Sequence, residues 1–236
     1  MRILGVPFDP VDLPTAVRYV ADLAEDGRPH LIVTANPEAV MAARKDPELA
    51  AAIRGADLVV ADGIGVVWAA RRLGRPLPGR VAGVDLMLGL CAWAERAGRS
   101  VFLLGGVPGV TEAAARSLAA RYPGLRIAGT RDGYRSLRAA DAVEQIAASS
   151  ADLLFAGLGM PLQEKWLARH LDRLNVRVAM GVGGSLDVLA GRVRRAPRWL
   201  RRLHLEWLYR LLRQPSRWRR QTALLAFAWA ILVRRC

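Results

Sequence analysis

At 236 residues, 53% of them hydrophobic, with a mean hydropathy of +0.16, the chain is too apolar for a disordered segment and long enough for one α/β domain with a full core. Its net charge of +14 is concentrated at one end: residues 192–236 carry thirteen arginines and one acid, Glu206, a formal +12, while residues 1–191 are nearly neutral. Two cysteines, Cys91 and Cys236, exclude a disulfide framework and fit a reducing cytoplasm; no secretion signal is read at the N-terminus, and no run reaches the roughly 18–20 apolar residues that span a bilayer.

Along the chain, short apolar, β-branched runs alternate with amphipathic segments rich in Ala, Leu and Arg. Residues 30–34, 57–61, 100–105, 125–130, 152–157 and 176–181 read as strands; 12–25, 37–54, 64–73, 84–98, 109–121, 139–149, 161–172 and 185–190 read as helices. Such alternation predicts an α/β fold: a mainly parallel sheet with helices on both faces, Rossmann-like in architecture. Composition changes at Arg192, so residues 1–191 read as the core and 192–236 as a basic helical appendage. Within it, Leu200, Leu203, Trp207 and Leu211 fall on one helix face, and Pro215 separates that helix from a second run to about Val233.

Ligands of open α/β sheets bind beyond the carboxyl ends of the strands, and five glycine-, proline- or asparagine-marked sequences fall there. In Thr34-Ala35-Asn36-Pro37-Glu38, Asn36 suits a helix cap and Pro37 the first helical position, and the same turn offers amides, a hydroxyl and a carboxamide to a phosphate. Asp62, before Gly63 and Gly65, is either a general base or the cap of the following helix. Gly157-Leu158-Gly159-Met160-Pro161 leads into Gln163, which has no evident structural task, and Glu164, which suits a helix dipole. Gly181-Val182-Gly183-Gly184-Ser185 and Gly105-Gly106 are further turns able to approach a phosphate closely. The chain has no complete dinucleotide fingerprint, P-loop lysine, Gly-x-Ser-x-Gly elbow or Asp-x-Asp pair, and His30, His170 and His204 stand apart; neither a metal nor a cofactor is expected.

In order, TANPEAV (34–40), ADGIGVVWAAR (61–71), GRVAGVDLM (79–87), LLGG (103–106), GLGMPLQEKW (157–166), GVGGSLDVLAGRVRRAPRW (181–199) and LEWLYRLLRQPSRWRR (205–220) resemble the WecG/TagA/CpsF family of bacterial glycosyltransferases over nearly the whole chain. The resemblance implies an inverting, metal-independent transfer of an N-acetylmannosamine-type sugar from UDP to a sugar on undecaprenyl diphosphate, at the inner face of the cell membrane. It implies Asp62 as base, Thr34 and Asn36 around the pocket, Arg80 and Asp85 near donor or acceptor sugar, and Gln163 in the P-x-Q-E segment. It also implies Arg210, Arg217 and Arg220 closing over the diphosphate. Glucosyl, glucuronosyl or mannosaminuronosyl donors remain alternatives within the family.

The tail has two readings. Its arginines solvate a helix, with Glu206 in ordinary surface pairs to Arg202 or Arg210 and Trp199, Trp207, Trp218 and Trp229 in the core; or the interleaved Trp and Arg anchor on an anionic membrane surface, which the lipid-linked acceptor favours. A homo-oligomer is compatible with the apolar run 223–233. The rivals of another class are a basic nucleic-acid-binding protein and a non-catalytic lipid-diphosphate binder; no nucleic-acid partner is expected, since it would leave the marked strand ends unexplained.

Overall fold

The computed structural model describes residues 1–133, 141–197, 199–200, 206–213 and 218–233, with the side chains of 210, 213 and 219–221 left out. Its centre is a six-stranded sheet in the order β4-β3-β8-β7-β5-β6. The strands are β3 (His30–Ala35), β4 (Leu58–Ala61), β5 (Ser100–Gly105), β6 (Arg126–Arg131), β7 (Leu153–Gly157) and β8 (Val178–Gly181). Every pairing is parallel, as the strand–helix alternation predicts. A short hairpin, β1 (Arg2–Ile3) with β2 (Val6–Pro7), precedes the sheet.

The period of two along each strand sorts side chains onto two cores. Leu31, Val33, Val59, Phe102, Leu104 and Leu154 lie in one; Ile32, Leu58, Val60, Val101, Leu103 and Phe155 lie in the other. The first face is covered by α2 (Pro37–Ala43), α3 (Pro47–Arg54), α4 (Ile64–Arg72), α7 (Asp141–Ser149) and α8 (Leu162–His170). The second is covered by α1 (Leu13–Leu23), α5 (Gly83–Arg96), α6 (Val110–Arg121) and α9 (Ser185–Leu189). Cys91 is a buried core residue of α5, and burial pushes its thiol up to about 12.

The expected helix over 37–54 is two helices. Asp46 caps α3 by accepting from the amides of Glu48 and Leu49, and Pro47 opens it, so the chain restarts there instead of continuing.

In the tail, α10 (Glu206–Arg213) and α11 (Trp218–Val233) are helical. Leu203 and Pro215 lie outside the described residues. α11 packs on α2 and α4, with Phe227 and Ile231 buried in the first core. Its other side leaves Trp218, Leu225, Trp229, Leu232 and Val233 exposed, and Trp199, Trp207 and Leu212 are exposed as well. The four tail tryptophans are therefore not core residues. Among the described residues no helix is long and apolar enough to cross a membrane.

Candidate active site

The carboxyl ends of β3, β4 and β8 share one edge of the sheet. β3 feeds α2 on the first face while β8 feeds α9 on the second, so the chain diverges there, at the point where such sheets usually take their ligands. Thr34, on β3, offers its hydroxyl to the carbonyl of Gly181 on β8 at 3.4 Å. Two residues on, the Asn36 side chain accepts from the Ala39 amide at 2.9 Å and caps α2, while Pro37 takes the first helical position.

Asp62 follows β4, but it does not cap α4: that N-cap is Gly63, with no side-chain bond. Its carboxylate reaches instead to α5. Oδ2 accepts from the Gly83 amide at 3.3 Å, at a helix start whose own N-cap, Ala82, supplies no side-chain oxygen. Oδ1 accepts from Arg80 Nη2 at 3.2 Å and Nε at 3.4 Å. A Cβ on Gly83 would lie 3.2 Å from the Thr34 hydroxyl and 3.5 Å from Asp62 Oδ2, which shows how tightly the three positions converge. The Asp62 side chain is 27% exposed, and its oxygens retain acceptor capacity beyond these bonds.

Arg80 also donates from Nη1 to Glu206 Oε2 of α10 at 3.0 Å. Burial opposes its charge, yet the fields of Asp62 and Glu206 outweigh burial and hold the guanidinium pKa above its ordinary value. Asp85, in the first turn of α5, accepts a two-pronged bond from Arg195, 2.6 Å on each arm. Arg195 Nε then lies 3.9 Å from Glu206 Oε1. Glu206 is therefore buried between two arginines, not an exposed partner in a surface pair; Arg202 lies outside the described residues.

The remaining marked turns form a second cluster around β5, β7 and β8. Gly105 has φ +126°, and a Cβ there would meet the Gly157 carbonyl oxygen at 2.4 Å, so the two backbones touch where only glycine fits. Gly106 donates its amide to the same carbonyl at 3.1 Å. Gln163 has a structural task after all: it is buried, its Oε1 accepts from the amides of Gly159 (3.2 Å) and Gly183 (3.0 Å), and its Nε2 donates to Glu164 at 2.8 Å. It ties the β7 turn to the β8 turn, leaving Gly184 at the start of α9. Glu164, placed by its sequence position as a dipole partner, is buried as well, and desolvation raises its pKa.

The structure thus joins Thr34, Asp62, Arg80 and Asp85 in one polar cluster and Gly105, Gly106, Gly157, Gln163 and Gly183 in a neighbouring one. Arg195 and Glu206 belong to the first and were not singled out by motif. Arg217 and His204 lie outside the described residues, and Arg210 and Arg220 are placed only as backbone positions of α10 and α11. Among the described residues no three His, Cys, Asp or Glu side chains gather as metal ligands.

The model of the "Glycosyl transferase WecG/TagA/CpsF family" matches residues 1–236. A Bacillus spizizenii protein described as N-acetylglucosaminyldiphosphoundecaprenol N-acetyl-beta-D-mannosaminyltransferase is 40% identical over 201 residues, 85% of this chain and 78% of its own length. Proteins of the same description from Bacillus subtilis and Staphylococcus aureus are 34% and 41% identical, over 98% and 89% of this chain and 90% and 83% of theirs. The chain belongs to the WecG/TagA/CpsF family of glycosyltransferases.

Proposed function

We propose that the protein transfers an N-acetylmannosaminyl group from UDP to undecaprenyl-diphosphate-linked N-acetylglucosamine, a step in cell-surface polysaccharide synthesis. The relatives' descriptions support the acceptor and the transferred sugar. One observation carries the chemistry: a partly exposed carboxylate, Asp62, held at the carboxyl end of β4 by Arg80 and the Gly83 amide. The acceptor hydroxyl oxygen attacks C1 of the donor sugar while Asp62 takes its proton. The bond from C1 to the phosphate oxygen breaks, its electron pair leaves with UDP, and C1 inverts. Thr34 and Asn36 border the attacking group. Gly105, Gly106, Gly157, Gly183 and Gly184 line the turn cluster that receives the diphosphate, with Gln163 fixing its shape. Charge on the departing phosphate is stabilised by backbone amides and by the tail guanidiniums of Arg210, Arg217 and Arg220, without a metal.

The tail also places the enzyme on its lipid substrate. Trp218, Leu225, Trp229, Leu232 and Val233 give α11 an exposed apolar side beside an Arg-rich segment, which suits peripheral binding to the anionic inner face of the cell membrane.

The test is UDP release from a panel of UDP-sugars, with and without lipid-diphosphate-linked N-acetylglucosamine, by wild type and Asp62→Asn. Acceptor-dependent release with UDP-N-acetylmannosamine, lost by about 10²-fold or more in Asp62→Asn, supports the reading. Near-normal turnover by the variant removes Asp62 as base, and release with a different donor alone reassigns the sugar. Chelator leaves turnover intact, and vesicles of anionic lipid sediment the wild type but not Leu225→Ser/Trp229→Ser.

A further inference from the structure

The single acid of the tail is not a surface charge: it is buried beside the site, between Arg195 of the tail and Arg80 of the body. Its side chain is 4% exposed, and it reaches the guanidinium that holds the candidate base. Arg80 is shared unequally: its contact to Glu206 is 3.0 Å, and those to Asp62 are 3.2 and 3.4 Å. An arginine committed wholly to one carboxylate stabilises the ionised form and weakens it as a base. A second carboxylate on the same guanidinium withdraws part of that field. Among the described residues, the charged groups around Asp62 are Arg80 from the loop before α5, Glu206 from α10, then Arg195 and its partner Asp85 beyond it. Uncharged contacts come from Thr34 on β3 and the Gly83 amide.

We propose that Glu206 is a positioning residue for proton transfer: by engaging one arm of Arg80 it keeps Asp62 basic, so the base is competent only while α10 is docked. Tail placement and base strength are thereby one event, and a transferase whose tail is displaced loses its base as well as its cover. The inference rests on Asp62 acting as base.

The full-length enzyme is assayed for kcat/KM from pH 3 to 8 as wild type, Glu206→Gln, Glu206→Asp and Asp62→Asn. Glu206→Gln keeps the shape and an acceptor oxygen but loses the charge. Its acid limb moves to lower pH by about half a unit or more, because Asp62 now faces an uncompensated arginine, and its plateau falls by at most about threefold for each half unit as the base weakens. Glu206→Asp, with the carboxylate drawn back by one methylene, falls between wild type and Glu206→Gln, and serves alone if Glu206→Gln does not fold. A lowered plateau with an unmoved acid limb in these variants makes Glu206 a packing residue and overturns the proposal. Turnover retained in Asp62→Asn overturns the base reading itself, and the proposal with it; an inactive Asp62→Asn beside an unmoved Glu206 limb overturns the proposal alone.

Discussion

Phe227→Ala separates the tail from the body. Phe227 and Ile231 are the buried anchors of α11, 1% and 3% exposed, while Leu225, Trp229 and Leu232 on the same helix face outward. Truncating a buried phenylalanine costs about 3–5 kcal/mol, through lost transfer energy and the cavity left behind. α11 lies outside α2 and α4, against which it packs, and no strand of the sheet depends on it for pairing. The loss therefore falls on local opening, not on global unfolding. Even 3 kcal/mol raises the undocked population about a hundredfold. Hydrogen exchange read by mass spectrometry checks this: α11 peptides exchange about a hundredfold faster, those from β3, β5 and β7 stay as in wild type, and transfer to the lipid-linked acceptor falls. Unchanged protection of α11, or equal loss of protection in α11 and the sheet, refutes the picture of a separately docked helix.

Other expectations concern the body. His30 is buried between Asp26, 2.8 Å from Nε2, and Asp57, 3.1 Å from Nδ1; burial alone would lower its pKa, but the two carboxylates outweigh it and raise it. Its stabilisation is therefore complete below the unfolded value of about 6.5 and lost as pH rises through the raised folded value; denaturant midpoints of wild type fall between pH 6 and 8.5, and His30→Asn removes that slope. Gly105→Ala puts a methyl 2.4 Å from the Gly157 carbonyl oxygen at a φ of +126°, overlap with backbone that no rotamer change relieves. Strain and overpacking together cost about 2–5 kcal/mol, a fall in melting temperature of roughly 5–15 °C; a melting temperature within a degree of wild type contradicts the close approach. Deleting 198–236 leaves the sheet folded by circular dichroism and abolishes transfer to the lipid-linked acceptor.

The sheet was legible because its strands, the edge strand β6 apart, are buried on both faces: runs such as His30–Thr34 and Ser100–Gly105 have no other way to satisfy their apolar length, and the intervening helices follow from period and caps. The break at Asp46-Pro47 was equally present in the residues, but the apolar periodicity on either side masked a cap and a proline acting together. Asp62 was legible as a special residue at a strand end. Its partners were not, since Arg80 and Gly83 lie 18 and 21 residues away and only the return of the chain to β4 brings them close.

The structural tasks of Gln163 and Glu206 were missed for opposite reasons, and both follow from what a buried polar group requires. Gln163 looked functional because its sequence neighbours need nothing from it; the amides it satisfies come from Gly159 within its own turn and from Gly183, 20 residues on. Glu206 looked ordinary because arginines stand four residues away on both sides, and spacing alone makes that a surface pair. Yet a lone acid in a segment of formal charge +12 has weak reason to be there if it only decorates a solvated helix, since a basic surface gains nothing from losing one charge. Burial against Arg80 and Arg195 gives it a reason: it bridges a guanidinium of the body and one of the tail, each of which already holds one carboxylate. Because Arg80 also holds Asp62, the carboxylate that joins tail to body is, on the proposal above, also the one that sets the charge at the proposed base.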